Sequence, residues 1–204
     1  MKRILIYGDS NILGYSFDES DRLKDNELWV NMLREYLGSD YTIIQDGLPG
    51  RIAGNIDDET LFKNGKNSFD AILRSCIPVC YVVIALGTND LAIENDKSAE
   101  EIYEDLMWYK EKVKEIYREE SLINKFPEFI YVLPGNFDYI NGARGFFDFS
   151  REQERNKLVQ LFKDNCSDKY IELNNIDLIK GDGVHYSNKG QQQVFEKVKE
   201  YFDI

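Results

Sequence analysis

The stretch that most constrains this chain lies near its beginning, where a short apolar run ends in Gly8-Asp9-Ser10. Ile4 to Tyr7 is too short for a helix and rich in strand formers, which is typical of a strand buried on both faces of a parallel sheet. Because Gly8 and Asp9 interrupt the run, Ser10 is expected just past the carboxyl end of that strand, where open α/β sheets bind ligands. Ser10 is therefore a candidate helix N-cap, phosphate-binding hydroxyl or nucleophile.

Apolar runs alternate with segments of helical periodicity along the rest of the chain. Strands are predicted at Ile4 to Tyr7, Tyr41 to Gln45, Val79 to Leu86, Phe129 to Leu133 and Tyr170 to Leu173. Helices are predicted at Leu28 to Leu37, around Phe69 to Leu73, and at Ser98 to Glu119, Arg151 to Phe162 and Asn188 to Phe202. This alternation indicates an α/β fold in which helices cover both faces of a parallel sheet, and we expect one domain over residues 1–204.

Charge and residue usage exclude several classes of partner. The net charge of -12 argues against nucleic acid and against an anionic membrane, since both require basic patches. The chain contains no run of 18 apolar residues and does not begin with a signal-peptide pattern, so we expect a cytoplasmic protein. Three cysteines and a single histidine do not suggest a disulfide framework or a Cys/His zinc cluster, and no metal or cofactor is expected.

A set of candidate site residues follows the predicted strands in sequence order: Ser10, Gly50, Asn89, Asp182 and His185. A serine is a weak nucleophile unless a base takes its proton, and histidine is the most frequent base. His185 is the one histidine of the chain, so a histidine-dependent mechanism must use it. Asp182 lies three residues upstream, within reach of the second ring nitrogen, where an acceptor would fix the tautomer.

Attack on a carbonyl group creates an oxyanion, which requires hydrogen-bond donors. The backbone N–H groups of Ser10 and Gly50 and the side-chain amide of Asn89 are candidates. Each residue also has a structural explanation: His185 as a surface residue, Asn89 as a helix cap, Gly50 as part of a turn. Their ordered occurrence at successive strand ends favours a common site.

Four sequence blocks resemble those of the SGNH, or GDSL, hydrolase family. They are Gly8-Asp9-Ser10, Gly47 to Arg51, Gly87-Thr88-Asn89-Asp90 and Asp182-Gly183-Val184-His185. The resemblance implies a three-layer α/β/α sandwich with a five-stranded parallel sheet. It also implies Ser10 as nucleophile, His185 as base, Asp182 as its orienting partner, and Ser10, Gly50 and Asn89 as oxyanion donors. Asn11 departs from the leucine that usually follows the family's serine.

The block from Asp46 to Arg51 is similar to the bacterial arylesterase and acyltransferase branch of the family. We therefore expect a serine esterase acting on a small-molecule substrate with a small acyl or acetyl group. An acyltransferase or perhydrolase would use the same residues. A flavodoxin-like module that binds an anion without catalysis is the alternative from another class. Whether the chain forms a homo-oligomer is left open.

An aromatic loop from Phe137 to Phe149 follows the fourth predicted strand. A loop this apolar is expected either to border an acyl pocket or subunit contact, or to fold onto its own side chains.

Overall fold

The computed structural model describes residues 2–15, 22–56, 61–143 and 145–202. Five strands form one sheet in the order β2-β1-β3-β4-β5, and every neighbouring pair is parallel. The strands are β1 (Lys2–Gly8), β2 (Tyr41–Gly47), β3 (Tyr81–Ala85), β4 (Glu128–Val132) and β5 (Lys169–Ile171). The α-helices within the described ranges are α1 (Ser10–Leu13), α2 (Trp29–Leu37), α3 (Gly65–Cys76), α4 (Ala99–Glu119), α5 (Phe149–Asn165) and α6 (Asn188–Lys199).

β1 is a central strand of the sheet and pairs with β2 on one side and with β3 on the other. The side chains of Ile4 to Tyr7 are fully buried. Because successive side chains of a strand point to opposite faces, Leu5 and Tyr7 join one core while Ile4 and Ile6 join the other. The continuous apolar run therefore reflects burial on both faces, as the sequence predicted.

Two hydrophobic cores separate the sheet from its helices and give the predicted three layers. On one face the core contains Phe69 and Leu73 of α3, residues of α4 that include Leu106 and Tyr109, and Phe162 of α5. On the other face it contains Trp29 and Leu33 of α2 and Val194 and Val198 of α6. Fully burying one such side chain contributes roughly 1.5–3 kcal/mol, so these helices are held mainly by their apolar stripes.

α4 begins as the sequence predicted. The Ser98 hydroxyl accepts from the Glu101 N–H at 3.3 Å, and the Glu101 carboxylate accepts from the Ser98 N–H at 2.8 Å, which forms a capping box. Among the described residues, no helix is long and apolar enough to cross a membrane.

Some predicted boundaries were wrong at the ends of elements. Val79 precedes β3, because its N–H donates to the Tyr117 hydroxyl at 2.9 Å instead of to a neighbouring strand. Leu173 lies beyond β5, and its carbonyl accepts from the Arg155 guanidinium at 3.0 Å. α6 ends at Lys199 rather than at Phe202, since the N–H of Phe202 closes a turn onto the Lys199 carbonyl.

Candidate active site

Ser10 lies directly after β1, at the carboxyl end of the sheet. The turn is tight: a Cβ on Gly8 would lie 2.7 Å from the Ala85 carbonyl oxygen, so only glycine fits there. Asp9 is the N-cap of α1, and its carboxylate accepts from the Asn11 N–H at 2.9 Å. Ser10 is thus the first residue of the one-turn helix α1 and not its cap, which corrects that alternative interpretation.

His185 lies between Ser10 and Asp182. Its Nε2 is 2.9 Å from Ser10 Oγ, and its Nδ1 is 2.8 Å from Asp182 Oδ2. The other carboxylate oxygen of Asp182 accepts the backbone N–H groups of Val184 and His185 at 2.8 and 2.6 Å. The loop thus holds the carboxylate and the imidazole in a fixed relation, and the structure brings three of the predicted site residues together.

The environment of Asp182 keeps its carboxyl group ionised. Burial raises the pKa of Asp182, but the hydrogen bonds from the His185 ring and from the two backbone N–H groups outweigh burial, and the net pKa is lowered. An ionised carboxylate can only accept, so the Nδ1 of His185 carries a proton, and in the neutral imidazole Nε2 is then the acceptor that faces Ser10.

A second loop, which contains Gly50, is fastened to the end of β1 by Arg51. The buried Arg51 guanidinium donates to the carbonyls of Gly8 and Asp46, both at 3.0 Å, and forms an ion pair with the Asp46 carboxylate at 2.6 Å. It also lies 4.1 Å from the centroid of the Tyr7 ring. Gly50 has φ = 73°, a left-handed conformation that favours glycine.

Asn89 and Asp90 connect the next strand-end loop to the Gly50 loop. Asn89 Nδ2 donates to the Arg51 carbonyl at 2.9 Å. The fully buried Asp90 carboxylate accepts the N–H groups of Ala53 and Gly54 at 2.7 and 3.3 Å. No helix begins directly after Asn89, because α4 begins at Ala99 with Ser98 as its cap. The interpretation of Asn89 as a helix cap was therefore wrong.

A cavity of about 480 Å³ opens beside this cluster. Its polar lining includes Tyr15, Asn89, Glu94, Asp182 and His185, and its apolar lining includes Ala92, Ala143, Phe146, Phe147 and Val184. One wall therefore carries Asn89, Asp182 and His185 of the predicted site and another offers apolar surface, a combination typical of small-molecule sites.

The aromatic loop contributes that apolar wall while also packing on itself. Phe137 and Phe147 are buried and stack with ring centroids 4.1 Å apart, whereas Phe146 is 62% exposed at the rim. Residue 144 of this loop lies outside the described residues. A role of the loop in subunit contact stays a prediction.

A family model described as GDSL-like Lipase/Acylhydrolase matches residues 4–198. The chain belongs to this family. Its members hydrolyse acyl bonds, so this GDSL protein is a carboxylic ester hydrolase by class. The alternative of a non-catalytic anion-binding module is accordingly set aside.

Solved structures share the fold of this GDSL hydrolase. Est24, a carbohydrate acetylesterase from Sinorhizobium meliloti, has a TM-score of 0.82 at 22% identity, covering 99% of this chain and 100% of that one. The native aryl esterase of M. smegmatis has a TM-score of 0.83 at 21% identity, with the same coverages. A lipase/acylhydrolase from Enterococcus faecalis has a TM-score of 0.67 at 17% identity, covering 98% of this chain and 95% of that one. No curated protein matches the chain.

Sequence reasoning missed several residues that organise the site of this GDSL hydrolase. Asp9, Arg51 and Asp90 are buried polar side chains that bind backbone groups of the site loops, and Arg51 and Asp90 also form ion pairs with Asp46 and Lys97. All three lie in the sequence blocks that carry the family resemblance, but no role was predicted for them, because a buried charge is not recognisable until its partners are known. Tyr15, whose ring stacks on His185, was also missed.

Proposed function

We propose that this protein is a serine esterase that hydrolyses small acyl or acetyl esters, with Ser10 as nucleophile, His185 as base and Asp182 as the orienting carboxylate. The observation that supports this assignment is the hydrogen-bonded chain from Asp182 through His185 to Ser10, with contacts of 2.8 and 2.9 Å. These are the contacts that an activated serine requires.

The first half-reaction forms an acyl-enzyme. Ser10 donates its hydroxyl proton to His185 Nε2 while Oγ attacks the ester carbonyl carbon, giving a tetrahedral oxyanion. Collapse of this intermediate breaks the bond to the leaving alkoxide, which takes the proton from His185 Nε2. The Asp182 carboxylate stabilises the imidazolium while it carries that proton.

The oxyanion is assigned three donors: the backbone N–H groups of Ser10 and Gly50 and the side-chain amide of Asn89. The Gly50 loop and Asn89 are linked through Arg51, which supports a common role. One hydrogen of the Asn89 amide is used by the Arg51 carbonyl, which leaves the second for the substrate. Water then repeats the sequence on the acyl-enzyme, releases the acid and restores Ser10.

The cavity supports small acyl groups as substrates. A volume of about 480 Å³ lies in the range of ordinary small-molecule sites, and its apolar lining by Phe147, Ala143 and Ala92 suits a short alkyl chain. The relatives described as a carbohydrate acetylesterase and an aryl esterase act on esters of this kind by their names, which supports the same class here.

The proposal is tested with a panel of acyl esters of increasing chain length together with acetylated sugars. We expect Ser10→Ala and His185→Ala each to remove most of the hydrolysis, and the double variant to be little slower than either, because residues that act as one unit are not additive. Additive losses, or near-normal turnover in Ser10→Ala, would contradict the assignment.

A further inference from the structure

The ring of Tyr15 stacks on the imidazole of His185. The two ring centroids are 4.3 Å apart and the planes are inclined by 29°. Tyr15 also lines the cavity that contains Asn89 and Asp182. An aromatic face at this distance attracts a cation, and the distance lies well within the roughly 6 Å over which that attraction operates.

The backbone holds Tyr15 in this place together with the serine. Gly14 ends α1 in the left-handed conformation with φ = 82°, and the N–H of Tyr15 donates to the Ser10 carbonyl at 3.1 Å. A side chain at residue 14 would collide with Leu28, since a Cβ there lies 2.3 Å from Leu28 Cδ2. Ser10 and Tyr15 are therefore two ends of one hydrogen-bonded turn that meets His185.

The two side-chain hydrogen bonds of His185 leave one motion of the ring free. The bonds to Asp182 and Ser10 are made by the two ring nitrogens at the edge of the imidazole, so they restrain movement within the ring plane more than displacement out of it. A second ring stacked on the face resists that displacement. Displacement out of the plane would carry Nε2 away from Ser10 Oγ, and small misplacements of a catalytic group are costly in rate.

We propose that Tyr15 is a positioning residue for His185: its ring face holds the imidazole in line with Ser10 and stabilises the imidazolium formed during acylation and deacylation. This inference rests on the proposed function, because it needs His185 to take up the proton. The imidazolium would lie between the Asp182 carboxylate at its edge and the Tyr15 π-face. Two further carboxylates belong to its surroundings: Asp9 acts on His185 by its charge, and Glu94 lines the same cavity.

A simpler role for Tyr15 is that of a cavity wall that contacts only the substrate. The two roles differ in the kinetic constant they affect. A wall residue changes KM, and its effect varies with the acyl chain, whereas a residue that acts through His185 changes kcat for short and long esters alike.

The test compares Tyr15→Phe and Tyr15→Leu, with kcat and KM measured on acetyl and butyryl esters. Tyr15→Phe keeps the ring face and should retain kcat within about twofold. Tyr15→Leu should lose about 3- to 30-fold in kcat on both esters with little change in KM, the range that cation–π energies convert to. Tyr36→Leu is the matched control, because Tyr36 pairs with Phe195, neither residue lines the cavity, and its loss should leave kcat unchanged.

NMR gives a second readout that does not depend on turnover. His185 is the single histidine, so its ring C–H signals are unambiguous, and the Tyr15 ring current should shift them upfield. The His185 signals should move downfield in Tyr15→Leu and keep their chemical shifts in Tyr15→Phe. Three kinetic results would overturn the inference: an unchanged kcat in Tyr15→Leu, equal losses of kcat in both Tyr15 variants, or an effect on KM alone. Unchanged His185 chemical shifts in Tyr15→Leu would overturn it as well. Failure of the proposed function can be distinguished from failure of this inference, because Ser10→Ala would then hydrolyse esters at the normal rate, with Tyr15 present or replaced.

Discussion

The side-chain amide of Asn89 donates to the backbone carbonyl of Arg51 at 2.9 Å. Through this bond the loop after β3 is fastened to the loop that carries Gly50, while the Arg51 guanidinium holds the Gly8 carbonyl just before the serine. The three groups assigned to the oxyanion therefore belong to loops that support one another. Donors fixed in this way need little reorganisation when charge develops, which is the condition for electrostatic stabilisation of a transition state.

Asn89→Ala should lower kcat by roughly 10²–10³ with little change in KM, because a donor to an oxyanion is worth most in the transition state. Its unfolding free energy should fall by only about 1 kcal/mol, for the lost bond to Arg51. Asn89→Asp should turn over more slowly still, since it places an acceptor beside the oxyanion. Asn95→Ala, which removes a 2.7 Å bond to the Asn89 carbonyl, is the control for loop stability. Near-normal kcat in Asn89→Ala would remove Asn89 from the site.

Asp9 should make the stability of the protein decrease between about pH 4 and pH 6. Burial raises its pKa to about 6, against the opposing effects of the Asn11 N–H, His185 and Thr88. In this window the folded state binds more protons than the unfolded state, so the unfolding free energy falls as pH rises. Asp9→Asn, an equally good N-cap, should match the parent near pH 4 and exceed it by about 2–3 kcal/mol at pH 8.

Urea denaturation at several pH values measures this difference. Asp148→Asn is a control of opposite sign, because Asp148 caps α5 and hydrogen bonds from Ser150 and the Arg151 N–H lower its pKa. That variant should lose stability relative to the parent as pH rises. If the difference in unfolding free energy between Asp9→Asn and the parent does not change with pH, the pKa of Asp9 is not raised in the folded state.

Phe147→Val should shift the preference of the enzyme toward longer acyl chains. The Phe147 ring lines the cavity, and replacing it with a smaller side chain makes room for added methylenes. At about 0.8 kcal/mol per buried methylene, the ratio of kcat/KM for butyrate over acetate should rise about 4- to 15-fold. Phe149→Val is the control, since Phe149 is 60% exposed and does not line the cavity. An unchanged ratio in Phe147→Val would place the acyl chain elsewhere.

The sequence predicted the layers of this fold because burial leaves a pattern in the chain. A strand covered on both faces, such as Ile4 to Tyr7, must be continuously apolar. The start of α4 was predicted by the capping-box pair Ser98 and Glu101. The ends of elements were less predictable. Whether the N–H of Val79 bonds to a strand or to Tyr117 depends on tertiary contacts that leave no local pattern.

The candidate site, too, could be predicted from the sequence only in part. Ser10 and His185 could be identified because both carry reactive groups and the chain has one histidine. The role of Arg51 could not, since two of the groups it binds, at Gly8 and Asp46, are backbone carbonyls, which look the same at every residue. Stacking of Tyr15 on His185 joins positions far apart in sequence, and no local signal predicts it.

Covalent labelling by an organophosphonate ester tests most directly whether His185 activates Ser10 as a nucleophile. Intact mass spectrometry should find one phosphonyl group per chain, and peptide mapping should place it on Ser10. Ser10→Ala should take up none, and His185→Ala should be labelled orders of magnitude more slowly while remaining folded. A wild-type chain that stays unlabelled, or a Ser10→Ala variant that is labelled as fast as the parent, would contradict the account.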